Sequence, residues 1–350
     1  MPEKMKAVIK KKGEFGAVLE EAPIPEPASD EVLVKVKATS ICGTDVHIYE
    51  WNAWAQGRIK TIPQILGHEF AGEVVEKGSC VKNIKVGDYI SAETHIPCYQ
   101  CKACLVGQFH ICENLKILGV DRDGSFAEYI TVPESVAWVN DRSIPPEIAS
   151  IQEPLGNAVY ATTVTDVFGQ SIAIFGDGPI GLFATGVAKT AGATKIITVG
   201  MMPFCLDIAK KMGADITINI TEVEDVAKAV IDANGGEKVD IAVEMAGVNK
   251  AVSDTFSVVR KGGRVSAFGI LPGEITLDYN NALVFKGSTV YGINGRLMYD
   301  TWCKVRNLLS SKRLDVTPVI THKFPLDEFA KGFELMLEVP KKVGKVVLFP

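Results

Sequence analysis

Residues 171–188 read SIAIFGDGPIGLFATGVA. The apolar run SIAIF is short and stops at a glycine, which predicts a buried strand. GDGPIG, residues 176–181, is a complete G-x-G-x-x-G. LFATGVAKTAGA follows at helical spacing, so the glycines lie between a strand and a helix. That context makes a weak motif specific. Gly176 permits the tight turn, Gly178 lets backbone N–H groups approach a pyrophosphate, and Gly181 lets the helix pack close on the strand. Together with Pro179 and Ile180 they open a helix whose N-terminus attracts phosphate. The stretch predicts a dinucleotide site for NAD or NADP.

An acid is expected roughly 20 residues on, at the end of the second strand, where it holds the adenosine ribose. That strand is KIITVG, and the position is Gly200. Met201, Met202 and Pro203 follow, with no Arg or Lys before Lys210. No carboxylate at 200 repels a 2′-phosphate and no cation nearby grips one. These residues leave NAD and NADP both open, and a Glu at 200 is expected to favour NAD.

Further outward the alternation continues. ATKIITVG reads as strand and CLDIAKKMGAD as helix; TINI, DVAKAVIDANG and VDIAVEMAG repeat the rhythm, and GGRVSAFGI and GSTVYGI close it. Strand–helix alternation predicts a doubly wound parallel sheet over 155–295. Residues 1–154 read instead as short strands and turns. Within EVLVKVKATSIC the residues alternate apolar and polar over 32–38, as a half-buried strand does, and AGEVVEKG, GDYISAET and FAEYITVP look similar. The tail 296–350 carries two helical stretches and the strand-like GKVVLF, and is expected to return to the first domain. Pro-containing turns at 144–146 and 154 suit the crossing.

The chain has 350 residues, 37 Lys+Arg and 42 Asp+Glu, hence a formal charge of −5. A length near two domains, with 47% hydrophobic and 23% charged residues, is that of a soluble globular chain. The acidity and the scattered lysines exclude a nucleic-acid footprint. The opening MPEKMKAVIKKKGEF lacks an apolar run of signal length, and no stretch is long enough to span a membrane. The expected compartment is the cytoplasm and the expected partner a small molecule.

Eight cysteines lie at 42, 80, 98, 101, 104, 112, 205 and 303. Cys98, Cys101, Cys104 and Cys112 form C-x2-C-x2-C-x7-C, and four thiolates at this spacing suit a closed tetrahedral zinc site within a lobe at 95–115. An iron–sulfur cluster is the alternative. Cys42, His68, Glu69 and Glu153 form a second constellation. Cys, His and carboxylate are the ligands of a zinc that keeps one position open. His68 and Glu69 can face one ion only where the chain bends. Thr44 and His47, two and five residues after Cys42, could pass a substrate proton to solvent. A helix cap and a surface histidine explain that spacing equally well. Cys80 and Cys303 read as ordinary thiols.

With these segments in place, the chain resembles the zinc-dependent medium-chain dehydrogenases along nearly its whole length. GHEF and the four-cysteine lobe are widely shared. TSICGTDVHIYEWNAWAQ at 39–56, AETHIPC at 92–98, QEPLGNAV at 152–159 and GINGRLMYDTW at 292–302 are narrower, and resemble the threonine-oxidising branch. The resemblance implies a β-rich GroES-like catalytic domain beside the Rossmann sheet, one catalytic and one structural zinc, and NAD or NADP. It implies oxidation of a secondary alcohol, L-threonine first, a polyol or sugar acid as the alternative within the family; a non-catalytic zinc and nucleotide binder is the rival outside it. It implies that Cys42, His68 and Glu69 hold zinc, that Glu153 joins the metal or the proton relay, and that Thr44 and His47 are that relay. It places His95 near the substrate, and Phe268, Gly269, Ile270, Ile293 and Asn294 along the nicotinamide. It also implies a homotetramer, with the strand near 285–293 as a pairing edge. Gly200 stands where that branch usually carries Glu, and Cys205 where it tends to carry Arg.

Overall fold

The computed structural model describes residues 3–350. They form two compact units: the chain up to Glu153 with Leu297–Arg306 and Ile320–Pro350, and Pro154–Arg296 with Asn307–Val319.

The first unit is built on antiparallel sheet. Its seven-stranded sheet runs Ala137–Val139, Tyr89–Ala92, Glu69–Lys77, Glu31–Ser40, Lys345–Phe349, Ile320–Pro325, and Tyr129–Pro133 also pairs with Glu31–Ser40. A second sheet orders Val18–Pro23, Lys4–Lys10 and Gln64–Ile65. The strand Glu31–Ser40 is buried on both faces at its start. Val32, Val34 and Val36 pack with Phe70, Val74 and Ile90, while Leu33 packs on the other side with Met5, Ala7 and Tyr129. Only Lys35 and Lys37 are exposed in this strand, so the alternation visible over 32–38 is real only in its second half. The second sheet covers the face that alternation alone assigns to solvent. Register matters most at the strand's end. Ser40 lies opposite Glu69 on one side and Val347 on the other.

The second unit is a six-stranded, wholly parallel sheet: Ile216–Asn219, Lys195–Gly200, Ser171–Phe175, Val239–Glu244, Val259–Ala267, Thr289–Gly292. Its first strand lies near the middle, and the order reverses there, which places a crevice beyond the carboxyl ends of the strands. Ala173, Phe175, Ile197, Val199 and Val265 form part of its core. Thr289–Gly292 is an edge strand with Val290 exposed.

The tail departs from expectation. Asn307–Val319 belongs to the second unit, not the first. Leu314, Val316 and Val319 are buried, and a Cβ on Gly186 of the helix Pro179–Thr190 would meet Leu314 at 2.8 Å. A short apolar patch packs on that helix, and periodicity does not reveal which unit it chooses. Among the described residues no helix is long and apolar enough to cross a membrane.

Candidate functional site

Cys42, His68 and Glu69 converge where the strand Glu31–Ser40 ends and Glu69–Lys77 begins. Their ligand atoms lie within 4.8 Å of one another. Cys42 follows Glu31–Ser40 and caps the helix Gly43–Glu50. Gly67, at φ +90°, bends the chain just before His68, and Glu69 then begins the next strand. The bend is what lets adjacent side chains share one centre. A Cβ at Gly67 would lie 2.2 Å from the Phe126 ring, so the turn has no room for a larger residue.

Buried polar atoms frame this triad. Asp45 is fully buried; its Oδ2 accepts from Cys42 N at 2.8 Å, and its Oδ1 faces His68 Nδ1 at 3.4 Å. That leaves His68 Nε2 for an ion. Glu69 Oε2 accepts from Ser40 Oγ and from the buried Lys345 ammonium, which also donates to Ile41 O at 2.9 Å. Glu69 Oε1 is buried without a hydrogen-bond partner. Burial alone would lower the His68 imidazole, but Asp45 and Cys42 outweigh it and raise its pKa well above the ordinary value. Burial would likewise lower the Lys345 ammonium, and Glu69 outweighs it and raises it. Asp45, Cys42 and Glu69 thus make this buried pocket one that favours positive charge. One soft ligand, one imidazole and one orphan carboxylate oxygen fit zinc with a position open.

Asp45, Ser40 and Lys345 are not singled out by sequence reading. Asp45 had a signal: it is the third residue of the helix that Cys42 caps, the place from which a side chain reaches back to the cap N–H. Ligating histidines usually donate their second nitrogen to a carboxylate, and losing that partner weakens metal binding about 10–100-fold. Asp45→Ala is expected to lose zinc affinity by that factor, read by competition with a chelator; unchanged affinity would detach Asp45 from the metal.

Glu153 is buried in the first turn of Gln152–Thr163 and lies close enough to Lys345 to raise it. It is not within the tight triad. Thr44 and His47 stand three apart on the helix Gly43–Glu50, hence on one side of it. Thr44 is half-buried and His47 exposed, so the pair leads outward. Asn52 Oδ1 accepts from Ala55 N, which orients its amide, and its Nδ2 donates to His47 Nδ1 at 2.8 Å. The His47 proton is thereby placed on Nε2. His95 lies in the short strand His95–Ile96, its Nδ1 3.8 Å from the buried Glu93 carboxylate. Glu93 accepts from Trp302 Nε1 at 2.9 Å and from His95 N at 2.9 Å.

Cys98, Cys101, Cys104 and Cys112 also lie within 4.8 Å of one another. Backbone N–H groups point at their sulfurs: Cys98 N and Asn114 N donate to Cys112, at 3.2 and 3.3 Å, and Cys101 N to Cys98 at 3.4 Å. Donation from the Gln100 and Cys101 backbone holds the Cys98 thiol down at about 6. Burial and the neighbouring Cys101 and Cys112 push Cys104 up to about 12. Four thiolates repel one another, so a dication is what allows all four to ionise together.

In the second unit, Gly176 has φ +122°, and a Cβ there would come within 2.9 Å of the Met245 backbone. A Cβ on Gly181 would lie 2.0 Å from Gly176 O, while the space beside Gly178 is open. Gly178 caps the helix Pro179–Thr190. This is a tight turn with a clear face at a helix N-terminus, which fits a pyrophosphate. Phe268, Gly269 and Ile270 follow the strand Val259–Ala267, and Ile293 and Asn294 follow Thr289–Gly292, at the same carboxyl edge of the sheet. Phe268 N and Gly269 N donate to Glu244 O at 3.0 and 3.1 Å, which fixes that loop.

Residues 28–141 match the model of the alcohol dehydrogenase GroES-like domain, and residues 179–311 that of the zinc-binding dehydrogenases. The chain is 51% identical over 348 residues to an L-threonine 3-dehydrogenase of Pyrococcus horikoshii, covering 99% of each chain. A Sinorhizobium meliloti protein described as a zinc-binding dehydrogenase, bound to NADP, superposes with TM-score 0.92 at 30% identity over 100% of both chains. The NADH complex of an alcohol dehydrogenase from Escherichia coli gives TM-score 0.90 at 26% identity, again over 100% of both.

Proposed function

The chain belongs to the zinc-binding dehydrogenases with an alcohol dehydrogenase GroES-like domain, and from that premise we propose that it oxidises L-threonine to 2-amino-3-ketobutyrate with NAD or NADP as acceptor. The observation that carries this reading is the convergent Cys42–His68–Glu69 triad in a chain half identical, end to end, to a threonine dehydrogenase. Cys42, His68 and Glu69 would hold the catalytic zinc, Glu153 would be a further carboxylate for the metal or the relay, and the four lobe cysteines would hold the structural zinc.

When bound, zinc polarises the alcohol oxygen and lowers its pKa, and the nicotinamide accepts the hydride. The protein's own residues do the rest. Asp45 orients His68, and Ser40 and Lys345 hold one oxygen of Glu69 so that the other stays free. Thr44 accepts the substrate proton as it gives its own hydroxyl proton to His47 Nδ1, which leaves Asn52 to receive it, and exposed His47 releases the Nε2 proton to solvent. His95, backed by the buried Glu93, would lie near the substrate.

Initial rates with L-threonine, using NAD and NADP in parallel on zinc-loaded protein, test the assignment. Turnover with either supports it. No turnover with threonine, and turnover with a polyol or sugar acid, moves the enzyme to another alcohol. We place it in the cytoplasm, where thiolate zinc sites stay reduced. It works as a homotetramer that pairs along the free edge of Thr289–Gly292, a state that light scattering of the purified protein reads directly.

A further inference from the structure

The strand Lys195–Gly200 ends on glycine, where the fold ordinarily sets its ribose-binding acid. A carboxylate nevertheless occupies that place, delivered from the neighbouring loop. Asp177, the first variable residue of GDGPIG, is half-buried, and its Oδ2 accepts from Met201 N at 2.9 Å and Met202 N at 2.7 Å. A Cβ built on Gly200 would lie 2.4 Å from both Cβ and Cγ of Asp177, and 2.5 Å from Oδ2. The Asp177 side chain fills the volume in which a side chain at 200 would begin. The two positions exclude one another.

We propose that Asp177 sets the cofactor choice, favouring NAD over NADP, and that Gly200 is glycine to admit it. Two effects act together. The carboxylate puts negative charge beside the adenosine ribose, which repels a 2′-phosphate and leaves its second oxygen to accept from the ribose hydroxyls. It also occupies the Met201 and Met202 amides, the donors that a 2′-phosphate would use just before the ten-residue helix Pro203–Met212. No Arg or Lys before Lys210 restores the balance. The expectation that a Glu at 200 simply favours NAD is therefore corrected: with Asp177 in place, that side chain meets another carboxylate. The inference rests on the nucleotide site alone and does not depend on which alcohol is oxidised.

The test is titration of the zinc-loaded enzyme with NADH and with NADPH, followed by cofactor fluorescence and without alcohol. The unaltered enzyme is expected to bind NADH the more tightly. Asp177→Ala removes the charge and frees both amides; it should weaken NADH and strengthen NADPH, shifting their ratio by on the order of a hundredfold, about 2.7 kcal/mol. Asp177→Asn keeps an acceptor for both amides, so it retains the local fold and should shift the ratio by roughly tenfold through charge alone. Gly200→Glu alone should weaken both cofactors, and Asp177→Ala with Gly200→Glu should restore the NADH preference. The proposal is overturned if the unaltered enzyme prefers NADPH, or if neither Asp177 variant moves the ratio. Gly200→Glu alone improving NADH as much as the double variant does would overturn it too.

Discussion

Cys42→Ser is expected to abolish turnover and leave the fold intact. Serine is a poor zinc ligand but a good helix cap, so the substitution separates the cap from the metal-binding role proposed for Cys42. The helix Gly43–Glu50 keeps its cap, and the residue-42 N–H still donates to Asp45. Losing the metal forfeits about 4 kcal/mol of transition-state stabilisation, roughly a thousandfold in rate. Zinc content should fall from two per chain to one, with an unchanged melting temperature. A variant that keeps most of its activity would remove Cys42 from the catalytic metal.

Cys98→Ser is expected to do the converse. The lobe has little core of its own: Leu105, Val106 and Ile111 are exposed, and what converges inside it is sulfur. Structural zinc sites carry apparent binding energies of about 10–16 kcal/mol, which become folding energy when the ligands have no other reason to meet. With three thiols left, zinc should again fall to one per chain. The segment 98–112 should become the first site of proteolysis, and the melting temperature should drop by roughly 5 °C or more. Catalysis per folded molecule should suffer far less than in Cys42→Ser. Two zinc per chain with full thermal stability would show that Cys98 is not a ligand.

Much of this is legible in the sequence, for reasons that can be named. GDGPIG lies between a strand and a helix in adjacent residues, so local spacing reveals it. The four lobe cysteines lie within 15 residues of one another, and thiol spacing is itself the signal. The frame around the first triad is different. Lys345 reads as an ordinary strand lysine until strand register carries it to Glu69, 276 residues earlier in the chain. Asp177 looks like a filler within a motif until a Cβ at Gly200 is tried against it. Leu33 reads as one more residue of an alternating strand until the second sheet covers it. In each case the missing information is long-range pairing, which no local period encodes.

The Lys345–Glu69 pair limits how this protein can be divided. A fragment ending at Glu153 would carry all four residues proposed for the catalytic metal and the whole lobe. It would lack the strand Lys345–Phe349, and with it the cation that neutralises Glu69. Breaking a buried ion pair by removing one partner costs about 3–5 kcal/mol, so such a fragment would bury an unpaired carboxylate and expose the edge of Glu31–Ser40. A chimera that joins this metal domain to a foreign nucleotide domain must therefore bring the last strand along, appended after the insert. The exchangeable module is discontinuous in sequence, and a graft designed from contiguous residues should yield a protein that aggregates through the open strand edge.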